Sequence, residues 1–274
     1  MNLLQAIGGT PLIELMNAGV RPGVRVLCKL EGCNPGGSVK DRPALSMIAH
    51  AEERGDLTPG KTILEPTSGN TGIGMAMIAA ALGYRIKLTM PACVSEERRA
   101  ILTALGAEIE LTPGCDKTDG AIRRAHVIME QSGDRYYMPN QFANPANWQA
   151  HYDTTAPEIV RDTNGDVTVV VAGMGTTGTL MGCSRYFRDR HPATRVVGVE
   201  PEPNHRIQGL KNMQESMVPA IYDPALLDHR LICSDDHAFT CMRELALQEG
   251  LFCGMSSGAT IWAAGGARLN VTRF

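Results

Sequence analysis

The sequence lacks most of the features that would settle a function quickly. Its eight cysteines stand at 28, 33, 93, 115, 183, 233, 241 and 253. No two make C-x-x-C, and none has a histidine at zinc-ligand spacing, so no metal site or disulfide framework is expected. Dispersed like this, they are expected to be reduced, mostly buried thiols of a cytoplasmic protein. Charge of one sign is also missing. A formal net charge of −3, with scattered basic residues, gives no argument for nucleic acid or an anionic membrane. Long apolar runs are absent as well. The weakly polar stretch "GIGMAMIAAALGY", 72–84, is too short and too rich in Gly and Ala to span a bilayer. "MNLLQAIGGTPL" has no charged segment followed by an apolar core, so no secretory leader is expected. There is no G-x-x-x-x-G-K-[ST] for a nucleotide triphosphate, no repeat period and no low-complexity tract.

Glycine, by contrast, is abundant: 29 of 274 residues, about a tenth against roughly 7% in average chains. Much of it clusters between apolar runs, which suggests loops that pass close to ligands. Those runs alternate with helix-like segments. "VRVLCKL", "KTILEPT", "RIKLTMP", "AEIELT", "RYYMPN", "VTVVVAG", "RVVGVEP" and "LICS" have the character of strands. Between them, "RPALSMIAHAEERG" puts Leu45, Ile48, Ala49 and Ala51 at helical spacing, and Ser95 is an expected N-cap for "EERRAILTALG". Thr155 and Glu158 have capping-box spacing. The alternation implies an α/β fold with parallel strands and helices on both faces. Asn140 to Trp148 and Pro201 to Pro224 are the most loop-like stretches, and the first is a candidate domain crossing. Gly265-Gly266 is expected to interrupt the closing helix, after which a terminal strand would be expected but none is obvious in the sequence.

Three Gly/Ser/Thr-rich loops lie where strands end and helices begin: "EPTSGNTGIG" (65–74), "AGMGTTGTLMG" (172–182) and "CGMSSGAT" (253–260). Ligands of open α/β sheets bind at the carboxyl ends of strands, and helix N-termini attract anions. A fourth feature is "NPGGSVKDRPA" (34–44), where Lys40 meets the start of a helix with Pro43 in its first turn. The helix dipole and burial both lower a lysine's pKa there and favour the neutral amine that attacks carbonyls. A solvated surface lysine is the plain alternative.

Gly173 to Gly178 spell G-x-G-x-x-G after an apolar run, and Glu200 closes the next run where a ribose-binding acid would stand. A nicotinamide reading is therefore open. Thr176, Thr177 and Thr179 argue against it, because hydroxyls beside helix N–H groups suit a phosphate monoester better than a pyrophosphate. The nicotinamide reading also leaves Lys40 and "TSGNTG" without roles. Pyridoxal 5′-phosphate (PLP), with an aldehyde, a phosphate and a ring nitrogen, would use all of them.

"NPGGSVKDR", "TSGNTGIG", "QFANPANWQAHY", "GMGTTGTLMG" and "CGMSSGAT" together resemble the cysteine synthases (O-acetylserine sulfhydrylases), PLP enzymes of the tryptophan-synthase-β fold type. The likeness runs from "IGGTPLIEL" to Thr260, and "MGTTGT" and "GLFCGMSSG" are more similar to the thiosulfate-using B-type branch. It implies a fold type II PLP enzyme of two α/β domains, with parallel-rich sheets flanked by helices and PLP in the cleft between them. A smaller domain would cover 36–145, and a larger, phosphate-binding one 1–35 plus 146–274.

The resemblance makes Lys40 the Schiff-base lysine and acid/base, and Asn70 the partner of the ring hydroxyl. Gly175, Thr176, Thr177, Gly178 and Thr179 would bind phosphate, and Ser256 would face the pyridine nitrogen. Thr67, Ser68, Gly69, Thr71 and Gln141 would bind the substrate carboxylate. The implied reaction is β-replacement on an O-activated serine by sulfide or thiosulfate through an aminoacrylate, in a cytoplasmic homodimer. A serine or threonine dehydratase-type lyase and a catalytically impaired, partner-binding relative are the alternatives. Arg206 and Lys211 are candidates for distinguishing O-acetylserine from O-phosphoserine, or else solvated surface residues. Gly9 and Ala156 depart from the family's Asn and Gly. So does the ending, where "ARLNVTRF" replaces a further strand whose loss would expose a sheet edge.

Overall fold

The computed structural model describes residues 1–17, 22–67 and 69–265. Ser68 and the "ARLNVTRF" ending therefore lie outside the described residues. The chain divides into two compact units, one of residues 1–9 and 31–150, the other of 10–30 with the chain from His151 onward. The expected boundaries at 36 and 145 fall inside the first unit, which also takes the first nine residues. These are held there by Leu4 and Ile7, which pack on its core. The Gly8 N–H also donates to Asn34 Oδ1 at 2.8 Å.

The second unit opens with an antiparallel ribbon, β1 (Leu12–Leu15) and β2 (Val26–Lys29). The first unit then runs α1 (Asp41–Arg54), β3 (Thr62–Pro66), α2 (Asn70–Leu82), β4 (Arg85–Pro91), α3 (Glu96–Ala104), β5 (Glu108–Thr112), α4 (Lys117–Ser132), β6 (Tyr136–Tyr137) and α5 (Pro145–Ala150). Its strands are parallel in the order β5-β4-β3-β6. Ile63, Leu64, Leu88, Met90, Met75 and Ile78 are fully buried between sheet and helices. Strands covered on both faces need such near-continuous apolar runs.

The second unit continues with α6 (Ala156–Asp162), β7 (Val169–Gly173), α7 (Gly178–Arg190), β8 (Arg195–Pro201), β9 (His229–Cys233), α8 (Asp235–Glu249) and α9 (Met255–Gly265). Its sheet is parallel, β7-β8-β9. Val199, Ile207, Cys233, Ala238 and Ala259 form its core. No strand or α-helix occupies 202–223, as the sequence suggests. Glu200, the would-be ribose acid, instead pins that segment: it is 1% exposed, accepts from Met213 N at 3.1 Å and pairs with Arg230 at 3.2 Å.

Four local expectations are corrected. Ser95 stands at the N-cap of α3 but makes no cap hydrogen bond; Glu96 and Glu97 supply negative charge to that helix start instead. Thr155 and Glu158 form no capping box, because His151–Thr155 is a π-helical turn that leaves Thr155 in helical backbone. Glu158 pairs with Lys29 at 2.8 Å. The stretch Asn140 to Trp148 is not loop throughout, since α5 begins at Pro145. All eight cysteines are free, yet only Cys183 and Cys233 are buried, and Cys33, Cys93 and Cys115 are exposed.

Candidate active site

In the first unit Lys40 is the N-cap of α1, and its backbone N–H donates to Ser38 Oγ at 3.2 Å. Desolvation holds its amine below the usual lysine range, and the Glu31 charge opposes this. The turn before it is tied from both sides. Asp41, fully buried, accepts from Gly36 N at 2.5 Å through Oδ2, while its Oδ1 has no partner among the described residues. Burial pushes that carboxyl above its usual range, against the Gly36 hydrogen bond. Arg42, 3% exposed, makes a two-pronged bond to Glu31 at 2.8 Å per contact, and Glu31 also accepts from Asn34 Nδ2 at 2.9 Å. Gly74 of α2 lies against this start, where a Cβ would stand 3.4 Å from the Lys40 carbonyl and 3.0 Å from Asp41 Oδ1.

The β3–α2 loop is a second tied element. Thr67 Oγ1 accepts from Gly69 N at 3.3 Å, and Gly69 is the N-cap of α2. Asn70, first in that helix, is exposed. The buried Thr71 hydroxyl donates to Gln141 Oε1 at 2.8 Å, so two residues seventy positions apart, both of them substrate-binding candidates from the resemblance, meet. Gln141 is held in turn by Glu65, which the sequence reading missed. The Glu65 carboxylate, fully buried, accepts from Asn140 N at 2.9 Å and Gln141 N at 3.1 Å. Burial pushes it up to about 7, although those hydrogen bonds favour the charged form. An acid inside an apolar strand, "TILEPT", was its available signal.

In the second unit the β7–α7 loop places Thr176 and Thr177 out of solvent, 9% and 2% exposed. Thr177 has left-handed backbone, φ 68°, at the N-cap of α7, and its buried Oγ1 has no partner among the described residues. A Cβ on Gly175 would stand 2.5 Å from the Gly209 carbonyl, so only glycine fits there. Thr179 Oγ1 lies 3.2 Å from His151 Nε2, and His151 Nδ1 lies 2.9 Å from Thr155 Oγ1. His151, 1% exposed, is a second residue the sequence reading missed. Its signal was a histidine inside "QFANPANWQAHY". Ser256, in the first turn of α9, has its Oγ 3.9 Å from where a Gly209 Cβ would be. Phosphate-loop candidates and Ser256 thus share one neighbour, Gly209. Arg206 is engaged by Asp235 at 3.0 Å and lies over the Phe239 ring.

These features fit PLP. An orphaned buried hydroxyl at a helix start, beside a glycine with no room for a side chain, suits a phosphate monoester. A desolvated lysine suits an aldehyde. Among the described residues no His/Cys/Asp/Glu group could hold a metal ion, and no helix is long and apolar enough to cross a membrane.

The family described as pyridoxal-phosphate dependent enzyme matches residues 3–272. Cysteine synthase B of Salmonella typhimurium is 47% identical over 265 residues, covering 96% of this chain and 87% of its own. The crystal structure of a cysteine synthase from Entamoeba histolytica superimposes with a TM-score of 0.90 at 37% identity, covering 97% of this chain and 83% of its own. That of a hydrogen sulfide-producing enzyme from Fusobacterium nucleatum does so with 0.90 at 40% identity, covering 96% and 91%. With a match over nearly its whole length, and residues in each unit that suit the cofactor, the chain belongs to the pyridoxal-phosphate dependent enzyme family.

Proposed function

We propose that this enzyme is a cysteine synthase. It would replace the β-substituent of O-acetylserine by sulfide or thiosulfate, giving cysteine or S-sulfocysteine. The observation that carries the reading is the desolvated Lys40 amine at the start of α1, in a chain closely similar to cysteine synthases. Bound PLP supplies an electron sink for the substrate's α-carbon. Lys40 Nζ would hold the aldehyde and, once free of it, take the α-proton, which a depressed pKa favours by leaving more of the amine neutral. Asn70 would hold the ring hydroxyl, and Gly175, Thr176, Thr177, Gly178 and Thr179 the phosphate. Thr67, Ser68, Gly69, Thr71 and Gln141 would bind the substrate carboxylate. Ser256 would give the ring nitrogen a neutral partner. A hydroxyl cannot keep that nitrogen protonated as a carboxylate would, so prompt loss of a β-leaving group is favoured over long-lived carbanion chemistry.

The B-type signatures "MGTTGT" and "GLFCGMSSG" support thiosulfate as a second sulfur donor. Eight free cysteines support a reducing cytoplasm. A homodimer is supported by the large apolar side chains exposed in the second unit, Met16, Leu247 and Phe252 at 72%, 85% and 99%. PLP-loaded protein given O-acetylserine with sulfide or thiosulfate is expected to yield cysteine or S-sulfocysteine. Pyruvate as the sole product would contradict the reading. Lys40→Ala is expected to lose about a thousandfold or more of the rate.

A further inference from the structure

We infer that Glu65 is a positioning residue that holds Gln141 and Thr71 ready to receive the carboxylate of an amino-acid substrate; the inference rests on the reading of those two as substrate-binding residues. Glu65 is the fourth of five residues in β3, next to the strand's carboxyl end. Its two oxygens take the backbone N–H groups of Asn140 and Gln141, one each, and Asn140 has a left-handed φ of 54°. The carboxylate thus fixes the backbone from which the Gln141 side chain departs. Gln141 Nε2 then reaches the Pro66 carbonyl at 3.4 Å, its Oε1 receives the Thr71 hydroxyl, and its own carbonyl receives Asn147 Nδ2 at 2.6 Å. Glu65 touches none of the reacting groups assigned above and acts through Gln141.

Its surroundings make the charge the active feature. Leu88 of β4 lies beside it in register. Tyr137 of β6 is the titratable group that senses its charge, and Arg54 and Asp56 act on that phenol. On its face of the sheet, Ile63 and Leu88 pack in one cluster with Ala44 and Met47 of α1, Met75 and Ile78 of α2 and Ala146 of α5, none of them titratable, and α2 sets Thr71 against Gln141. A carboxylate can accept both N–H groups, whereas a protonated carboxyl or an amide turns one donor toward another donor. With titration at about 7, the clamp weakens as pH falls through neutrality.

Glu65→Gln tests this in the PLP-loaded enzyme. The KM for O-acetylserine is expected to rise about tenfold with kcat within about twofold, the size of one lost charge-assisted hydrogen bond. Gln141→Ala should act alike, and the double variant should be no worse than the larger single one. Wild-type KM should rise below about pH 7, and that limb should be missing from both variants. An unchanged KM and pH profile in Glu65→Gln, or independent effects that multiply, overturns the inference. If Glu65→Gln does not fold, persistence of the limb in Gln141→Ala overturns it equally. Amide exchange at Asn140 and Gln141 reads the clamp without substrate. Exchange there should be about tenfold faster in Glu65→Gln. Unchanged exchange contradicts the clamp even if the wild type makes no cysteine, an outcome that by itself sinks only the assigned reaction.

Discussion

The β3–α2 loop and the β7–α7 loop look alike in sequence, both glycine- and threonine-rich at a strand's carboxyl end, but they treat their hydroxyls differently. In the first, Thr67 and Thr71 already have protein partners, Gly69 N and Gln141. In the second, Thr177 Oγ1 is buried with no partner among the described residues. The strands differ too: the fourth residue of β3 is the acid Glu65, and that of β7 is Ala172. A loop whose buried hydroxyls already have protein partners can release a ligand at each turnover without collapsing. A loop with a buried donor left over is completed by a resident anion. On the proposed reading the first loop serves the substrate and the second serves the cofactor phosphate.

Titration of Glu65, the acid that only the first loop has, should separate the two loops most strongly. The folded-state value of about 7 lies above the ordinary 4.5. Between those two pH values the folded chain keeps a proton that the unfolded chain has lost. Stability from this group is therefore full below about 4.5 and is lost as pH rises through about 7. The stability difference between wild type and Glu65→Gln should shift by about 3 kcal/mol across that window, measured by denaturant unfolding at several pH values. A flat difference would mean that Glu65 is not buried as a carboxylate.

Next in size is a pair of glycines. Gly175→Ala puts a methyl 2.5 Å from the Gly209 carbonyl, whereas Gly69→Ala meets nothing within 4 Å. The first should cost about 1–3 kcal/mol of stability and weaken PLP binding, and the second should leave stability within about 0.5 kcal/mol. Thermal unfolding and PLP titration separate them, and equal effects would remove the structural contrast.

Smallest is a pair of threonine-to-valine changes in the PLP-free protein. Thr71→Val strands Gln141 Oε1 in a buried place and should cost about 1–2 kcal/mol. Thr177→Val removes a hydroxyl that has nothing to bond, so it should be neutral or slightly stabilising there while lowering PLP affinity about tenfold. Opposite signs are expected, and matching losses would mean that the two hydroxyls are equally engaged in the PLP-free protein.

Much of this was legible in the sequence where the determinant is contiguous. β4 fills "RIKLTMP" and β8 fills "RVVGVEP", because apolar β-branched runs closed by proline leave little choice of state. The place of Lys40 at the start of α1 and the β3–α2 and β7–α7 loops were legible because each is a short local motif, whereas "CGMSSGAT" follows the helix α8 and not a strand, since nothing local distinguishes a glycine-rich turn after a helix from one after a strand. The remainder depends on contacts between distant residues. Glu65 meets Asn140 and Gln141 some 75 positions on, and His151 meets Thr179 after 28, so no spacing rule marks either. The Thr155–Glu158 pattern misled because Glu158 found Lys29, over a hundred residues earlier, and because the π-helical turn already continued the helix. Exposure of Cys33, Cys93 and Cys115 was hidden for the same reason: composition does not say which face of a turn meets water. The four-residue strand β1 is too short to show a period.

Lys40 is the residue proposed to carry the cofactor in this chain. Borohydride reduction of the PLP-loaded protein, followed by peptide mass mapping, tests it most directly. A single phosphopyridoxyl group is expected on the peptide containing Lys40, and none on that peptide in Lys40→Ala. A label on any other lysine, or protein that takes up no PLP, would contradict it.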